Sequence, residues 1–519
     1  MRAMDGERGF AATERPAPWR RLWSRVQRLR KPLLVLAGVG TVLGGLAGYW
    51  NAWRAARDAG SAATAPAVVA PAEAKTLAVL PFANLDEDMA DAAFADGLGE
   101  ELVHLLSRVK GLRVVARRSA QQFKGQALPM AEMAGRLQVS YLVDGSVRRT
   151  GDTVRIGAQL VEGRTGAVLW AGQFERELKD TLAVQTELAL EIGRSLKLPL
   201  DASTLAGSGT QNLKAWQLFV QAEKLPEGEG QREPLYRQAL ALDPAFARAH
   251  VELAEEEPKA HLRSGSDRQA AAGKMAAHLE TALRLDPRLA MAHGRMATAA
   301  AMRDDLDAVA RHARKALELD PAEPAGLHWT AELALRDLRL DEALAQHRRL
   351  MELEPLSALA RVNHAFMLRL MQRPGEALPV IDQALVLEPD WRNALFEKAH
   401  ILLALGRRDE ALAIARRFNW IDLFLATGSA QDLAAARKTS GLSEHRRAAL
   451  AFFDGDYDTF FDHFERDHSD FMSRNRAMFD PMLDRAREHP RFKALLARHG
   501  LTQTHERAQA WRAANPPQR

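Results

Sequence analysis

The chain contains no cysteine among its 519 residues, which excludes disulfides, thiolate metal sites and cysteine nucleophiles and leaves the redox environment unspecified. Net charge is scarce too. Lys and Arg number 71 against 67 Asp and Glu, a balance of +4; over this length that field is too small for general attraction to nucleic acid, and no nucleic-acid partner is expected. Catalytic signatures are missing as well. There is no Gly-x4-Gly-Lys-Ser/Thr phosphate loop, no His-Glu-x-x-His and no Gly-x-Ser-x-Gly, and Gly97-Leu98-Gly99 lacks the remaining glycine of a dinucleotide fingerprint. The densest group of metal-ligand types is Asp454, Asp456, Asp458, Asp462, His463, Glu465, Asp467 and His468. Phe460, Phe461, Phe464 and Phe471 interleave with it at helical spacing, so it reads as the solvated face of a core helix. No catalytic residue, metal or cofactor is expected, and the chain reads as a non-enzyme.

Long uncharged runs are also rare, and the one present decides location. Pro32 to Trp53 is 22 residues without a charge, about 33 Å as a helix, enough to span a hydrocarbon core. Residues 1–31 carry nine Lys and Arg against three acids, and this bias places the amino terminus in the cytoplasm and the remainder across a bacterial inner membrane, in the periplasm. Tyr49, Trp50 and Trp53 form an aromatic belt. Trp19, Leu22, Trp23, Val26 and Leu29 share one helical face, as in an interfacial helix on anionic lipid; a basic tail serving topology alone is the competing reading, and a cleaved secretory signal near Ala65-Pro66-Ala67 is another. Gly40, Gly44 and Gly48 recur every fourth residue, a spacing that lets two membrane helices approach; a homodimer through this face is one reading, and the general frequency of glycine in membrane helices is the other. Residues 54–74, rich in alanine with Pro66 and Pro71, read as a linker.

Pro287, Pro321, Pro355 and Pro389 stand 34 residues apart, and each closes a Leu-Asp-Pro or Leu-Glu-Pro triplet. Each follows an amphipathic run that proline stops, because it lacks a donor and clashes with the preceding turn. Small residues keep step with the prolines: Ala343 and Ala377 lie twelve before, and Ala282, Ala316 and Ala384 five before, where two helices must approach closely. Leu338-Arg339-Leu340-Asp341-Glu342-Ala343, Gln372-Arg373-Pro374-Gly375-Glu376-Ala377 and Gly406-Arg407-Arg408-Asp409-Glu410-Ala411 mark the turn into each second helix. This pattern resembles the tetratricopeptide (TPR) repeat, a solenoid of helix pairs that binds rather than reacts. It implies repeats over 211–416, degenerate helical units with a cap over 417–500, and a tail over 501–519. An earlier unit ends at Pro244, 43 residues before Pro287; the nine extra residues are expected as a loop within Glu255 to Arg268.

Between linker and repeats, residues 75–198 alternate short β runs with helices, a mixed α/β domain, and 199–210 read as a second linker. Val154, Ile156, Ala158 and Leu160 alternate inward along one strand. Leu77-Ala78-Val79-Leu80-Pro81-Phe82, Phe94-Ala95-Asp96-Gly97-Leu98, Phe123-Lys124-Gly125, Asp144-Gly145-Ser146-Val147-Arg148-Arg149 and Gly166-Ala167-Val168-Leu169-Trp170 resemble the TolB amino-terminal-like domain. Asp96-Gly97 is expected at a turn beside a helix, Gly145 at a tight point of a strand, Trp170 in the core, and Arg148-Arg149 on the solvated surface.

The fold class is therefore multidomain: one transmembrane helix, a TolB-like α/β domain and an all-α TPR solenoid. Relatives with this order include CadC-like regulators, whose cytoplasmic part is a winged helix, and proteins with a nucleotide cyclase domain. The 31 residues preceding the span here are too few for either. The TPR resemblance implies a groove lined by the first helix of each pair, with His328, Glu332 and Arg336, then Val362, Phe366 and Arg369, then Asn393, Phe396 and His400. Clamp-type repeats that hold a chaperone's terminal carboxylate typically carry Lys and Asn at the first two groove positions, where this chain has His328 and Glu332, Val362 and Phe366, and Phe396 and His400, so a protein or peptide of another class is expected. The resulting expectation is a non-catalytic, membrane-anchored periplasmic scaffold or assembly factor. The alternative is the sensor half of a transmembrane signalling system whose output domain is supplied in trans.

Overall fold

The first strand, β1 (Lys75–Val79), buries Leu77, Ala78 and Val79 completely or nearly so, the mark of a strand covered on both faces. It pairs in parallel with β3 (Leu112–Val114) and β4 (Tyr141–Thr150); β4, β5 (Thr153–Glu162) and β6 (Val168–Glu177) continue as an antiparallel meander, and β2 (Ala83–Asn84) pairs with β4. The order is β3-β1-β4-β5-β6. This is a computed structural model that describes residues 75–85, 89–177, 181–198, 209–225, 230–263, 268–418, 420, 429–438, 444–467 and 471–517. The expected basic tail, the span over 32–53, its glycines Gly40, Gly44 and Gly48, and the first linker lie outside these residues. Among the described residues no helix is long and apolar enough to cross a membrane.

Helices cover both faces of the sheet. On one, α1 (Met89–Ser107) and α4 (Thr181–Ser195) set Leu98, Leu102, Leu106, Leu188 and Ile192 against Val154, Ile156 and Leu160. On the other, α2 (Arg117–Gln121) and α3 (Met130–Leu137) belong to a layer in which Met133 and Leu137 meet Ala78, Leu142 and Val161. Gly145 sits where a Cβ would fall 2.3 Å from the Phe82 ring and 2.6 Å from the Gly157 carbonyl oxygen, so the strand tolerates no side chain there.

Six helix pairs follow and form a solenoid resembling the TPR array: α5 (Leu213–Glu223) with α6 (Glu233–Leu242), α7 (Ala247–Arg263) with α8 (Arg268–Leu285), α9 (Ala290–Met302) with α10 (Leu306–Leu319), α11 (Pro324–Arg336) with α12 (Leu340–Leu353), α13 (Ala358–Leu370) with α14 (Pro374–Leu387), and α15 (Arg392–Ala404) with α16 (Arg408–Phe418). The second helices α8, α10, α12 and α14 each end two residues before their proline. Ala282, Ala316, Ala343, Ala377 and Ala384 are fully buried. Within four consecutive pairs the turn is made by a left-handed residue, Asp304, Leu338, Gln372 or Gly406, with φ between 58° and 78°. The next amide then donates back to the carbonyl five residues earlier, as Arg339 does to Ala334, closing the helix with a Schellman-type cap. Eight of the nine extra residues before Pro287 are not in a loop: they lengthen α7 and α8 to 17 and 18 residues, against 13 and 14 in α9 and α10, since Ala-rich and Glu-rich sequence extends a helix more readily than it forms a turn. The connection itself, 264–267, lies outside the described residues.

The α/β domain is fastened along the solenoid by α1, β3 and α2. Arg248 of α7 is buried between Glu100 and Glu101 of α1. Further along, Ala116 N donates to the Leu353 carbonyl at 2.8 Å and Gln122 Nε2 to Leu356 at 3.0 Å. Asp96 and Gly97 are not at a turn: both lie inside α1, at its contact with α5. Asp96 binds Lys124 at 2.7 Å and Lys224 at 3.0 Å. At Gly97 a Cβ would come within 2.4 Å of Val220 and 2.5 Å of Trp216, and Trp216 in turn meets Phe94 edge-on at 5.3 Å. Gly97→Val therefore overpacks this joint and destabilises it by roughly 1–3 kcal/mol. Urea unfolding of Gly97→Val against Gly135→Ala, whose added methyl meets nothing within 4 Å, tests this; equal midpoints would refute it. Trp170 is only partly buried beside the core, and Arg148 is exposed on β4.

Candidate functional site

After α16 the chain turns back over the first helices of the pairs. It does so through α17 (Ala430–Arg437), α18 (Glu444–Asp454), α19 (Tyr457–Asp467), α20 (Phe471–Phe479), a 3-10 turn at Pro481–Leu483, α21 (Pro490–Arg498) and α22 (Thr502–Ala514). The segment expected as a tail from 501 is thus largely helix. Its Ala508 is fully buried, its Trp511 lies 6.3 Å from Phe479, and its Arg512 carbonyl accepts a 2.8 Å bond from Gln372 in the turn between α13 and α14. Phe461, Phe464, Met478, Phe479 and Phe492 join one core with Ala365, Leu368 and Ile401 of the repeats. The chain's own carboxyl-terminal helices therefore cover much of the inner face.

That cover decides the fate of the predicted groove. Glu332 of α11 is completely buried under α20, paired with Arg476 at 2.9 Å, while Asn475 Nδ2 donates to its backbone carbonyl at 3.2 Å. His328 lies against Trp329, ring centroids 5.1 Å apart, and Arg336 ends the same helix. These three do not join the others. Val362, Phe366, Arg369, Asn393, Phe396 and His400 do: all six line a cavity of about 920 Å³ between α13, α15, α18, α19 and the segment after α20. Its outer wall comes from Phe452, Phe453, Phe460, Phe464, Arg476 and Asp480.

Charges on the inner wall of the cavity pair with one another. Arg369 Nε donates to Glu397 at 2.6 Å, both side chains below a tenth exposed, and Asp480 stands 3.9 Å away. Burial opposes the Arg369 charge, but Glu397 and Asp480 more than offset it, so the guanidinium is held above its ordinary pKa. Arg369 and Arg476 both lie over the Phe366 ring, at 5.1 and 4.8 Å, a cation–π arrangement. Burial, then the charge of Arg369, pushes the His400 imidazole below its ordinary pKa. Its Nδ1 lies 2.9 Å from the Phe396 carbonyl, an oxygen that only accepts, so Nδ1 carries the proton. Aromatic walls around a strip of mutually paired charges suit the binding of an amphiphilic group. Among the described residues no group of three or more His, Cys, Asp or Glu converges as in a metal centre. Within the acidic run, Asp462 and Glu465 bind Arg491 at 2.8 and 3.1 Å, and Asp454 binds Arg437.

Sequence reading missed the outer wall. Its signal was present in the phenylalanines from Phe452 to Phe471, but nothing in that run indicates which surface it covers.

Residues 73–191 match the second domain of HilA/YgeH-like transcriptional regulators. A Rhizobium meliloti (strain 1021) protein provisionally named adenylate cyclase 3 is 34% identical over 214 residues, 39% of this chain and 36% of that protein. The chain thus spans about a third of the length of the curated relative it matches. Among solved structures, YrrB, a TPR protein with an unusual peptide-binding site, is 17% identical with a TM-score of 0.27, over 39% of this chain and 97% of YrrB. TolB from Acinetobacter baumannii is 18% identical with a TM-score of 0.19, over 24% of this chain and 29% of TolB.

Proposed function

We propose that the chain is a non-catalytic interaction module, held in a bacterial inner membrane by residues 32–53 with its α/β domain and repeats in the periplasm, that binds a protein or peptide partner in the cavity between α13, α15 and the carboxyl-terminal helices. One observation carries the reading: six side chains from two successive repeats meet four phenylalanines around a single space of about 920 Å³, within the size range of ligand pockets. An apolar partner side chain enters among Phe366, Phe396, Phe452 and Phe460, while the paired charges bound its position. Phe366→Asp and Phe396→Asp should reduce crosslinked partner in intact cells at least about tenfold, because each replaces an aromatic wall by a hydrated carboxylate that an apolar partner side chain cannot cover without cost. The purified variants must still unfold cooperatively; undiminished capture by folded variants would remove the cavity from the reading. A reporter fused after residue 500 tests the topology, and cytosolic activity would overturn it.

A second reading is favoured by the match of residues 73–191 to a transcriptional-regulator domain and by the partial likeness to a protein named for cyclase activity. In it the TolB-like domain and repeats form the sensing half of a signalling system, the output domain is a separate polypeptide, and Gly40, Gly44 and Gly48 pair two copies. Gly44→Leu then abolishes both dimer crosslinking and output, whereas a scaffold keeps its partner.

A further inference from the structure

Two adjacent repeats carry the same pair of histidines in the same places. His250 and His293 stand six residues after Pro244 and Pro287, on α7 and α9; His278 and His312 stand nine residues before Pro287 and Pro321, on α8 and α10. In each repeat the two half-buried rings meet across the helix pair, Nδ1 toward Nδ1, at 3.4 Å for His250 and His278 and 3.1 Å for His293 and His312. The ring planes are tilted by 33° in both.

The far nitrogen of the first ring is engaged by backbone. Nε2 of His250 lies 3.1 Å from the Pro244 carbonyl and Nε2 of His293 lies 3.2 Å from the Pro287 carbonyl. A carbonyl oxygen only accepts, so each Nε2 carries the proton and each Nδ1 presents a lone pair toward its partner ring. An imidazole whose outer N–H is fixed by a backbone carbonyl and whose inner nitrogen is bare has the form of a metal ligand. Two nitrogens bound to one tetrahedral Zn²⁺ at about 2.0–2.1 Å stand about 3.3 Å apart. Both pairs are already at that separation.

The next two repeats lack the facing pair: its positions hold Leu327 and Gln346 in the first and Arg361 and Val380 in the second, where Arg361 still donates to the carbonyl of its proline, Pro355. The carbonyl contact therefore also occurs without a facing ring, whereas the ring pair is confined to the two histidine repeats.

We propose that His250 with His278, and His293 with His312, form two equivalent sites for an imidazole-seeking divalent cation of the Zn²⁺ class, each chelated through both Nδ1 atoms with water completing the shell. On binding, His278 and His312 take the Nε2–H tautomer. Each ring keeps one proton, so charge and protons balance with the cation alone added. Nitrogen donors without thiolate or a carboxylate cage select Zn²⁺, Cu²⁺ or Ni²⁺ over Mg²⁺ or Ca²⁺. The bound ion ties the first helix of each repeat to the second and stabilises the native array by mass action.

The experiment uses the full chain in detergent, without a polyhistidine tag, titrated with ZnCl₂ by calorimetry and with CoCl₂ by visible absorbance. About two ions per chain are expected, with Co²⁺ bands typical of nitrogen ligation and a melting temperature that rises with Zn²⁺. His278→Gln and His312→Gln should each remove about one ion and the double variant both, because an amide still donates to the facing Nδ1 but completes no chelate. Unchanged melting of the metal-free Gln variants separates lost ligation from lost folding, and His278→Ala with His312→Ala repeats the count if the Gln variants fail to fold. Zn²⁺ binding that survives the double substitution overturns the proposal. So does a wild-type chain that binds no Zn²⁺, in which case the rings share only an N–H···N hydrogen bond.

Discussion

Arg369→Leu lowers the stability of the repeat array by roughly 3–5 kcal/mol, because it leaves the Glu397 carboxylate buried without its counter-charge. The pair is two-pronged, with Nε and Nη2 of Arg369 donating to the two carboxylate oxygens at 2.6 and 3.3 Å, and it is almost wholly removed from water. It also joins α13 to α15 and, through Asp480 at 3.9 Å, to the segment beyond α20. The loss is a property of the broken pair rather than of the intact one. Replacing both partners by leucine removes the stranded charge, so Arg369→Leu with Glu397→Leu should recover most of the stability lost by either single change. Urea unfolding of the wild type, the two single variants and the double variant closes the cycle. Single variants that each lose less than about 1 kcal/mol would show that water reaches Glu397 and that the cavity floor is open.

Most of the solenoid was legible because its determinants are local. A proline ends a helix by its own chemistry, and an alanine at a close crossing is read from spacing alone; the prolines at 321, 355 and 389 and the fully buried Ala316, Ala343 and Ala377 follow that logic. The turns were marked less directly. Gly406 announces its left-handed conformation, but Asp304, Leu338 and Gln372 adopt the same one at the same position, imposed by the helices on either side. The inward face of β5 is readable from its alternation, whereas the position of Gly97 inside a helix is not, because its reason is tertiary: Trp216 and Val220 lie more than a hundred residues away. The groove was half legible for the same reason. The six residues from α13 and α15 share a face by periodicity. That Glu332 is sealed by Arg476 and Asn475 depends on a helix some 140 residues further on, and an amphipathic pattern states which face is apolar without stating what covers it.

Acidification from pH 7 to pH 5 should weaken the fold around α11 to α13, and His347→Leu should blunt that loss. Burial, followed by the charges of His328, Arg476 and His364, depresses the His347 imidazole to about 3. Burial and then Arg476 lower His328 to about 4, and burial followed by Arg348 and Arg373 lowers His364 to about 4. Neither ring nitrogen of His347 has a hydrogen-bond partner among the described residues, so the site offers nothing to an added proton. A base whose folded pKa lies below its unfolded value of about 6.5 contributes stability above that value and loses it as pH falls toward the folded one. For His347 the change from pH 6.5 to pH 5 is about 2 kcal/mol. Glu323 tilts the other way: burial raises its carboxyl to about 7, against the opposing effects of Arg295 and the Gly326 and Ala325 amides, so its contribution is lost as pH rises from about 4.5 to 7. The wild-type profile mixes both slopes, and single variants resolve them. Urea midpoints at pH 7 and pH 5 should show His347→Leu gaining on the wild type as pH falls, while Glu323→Gln loses ground relative to it. A His347→Leu difference that is identical at the two pH values would mean that the imidazole is already hydrated in the native protein, and would remove α12 from the acid response.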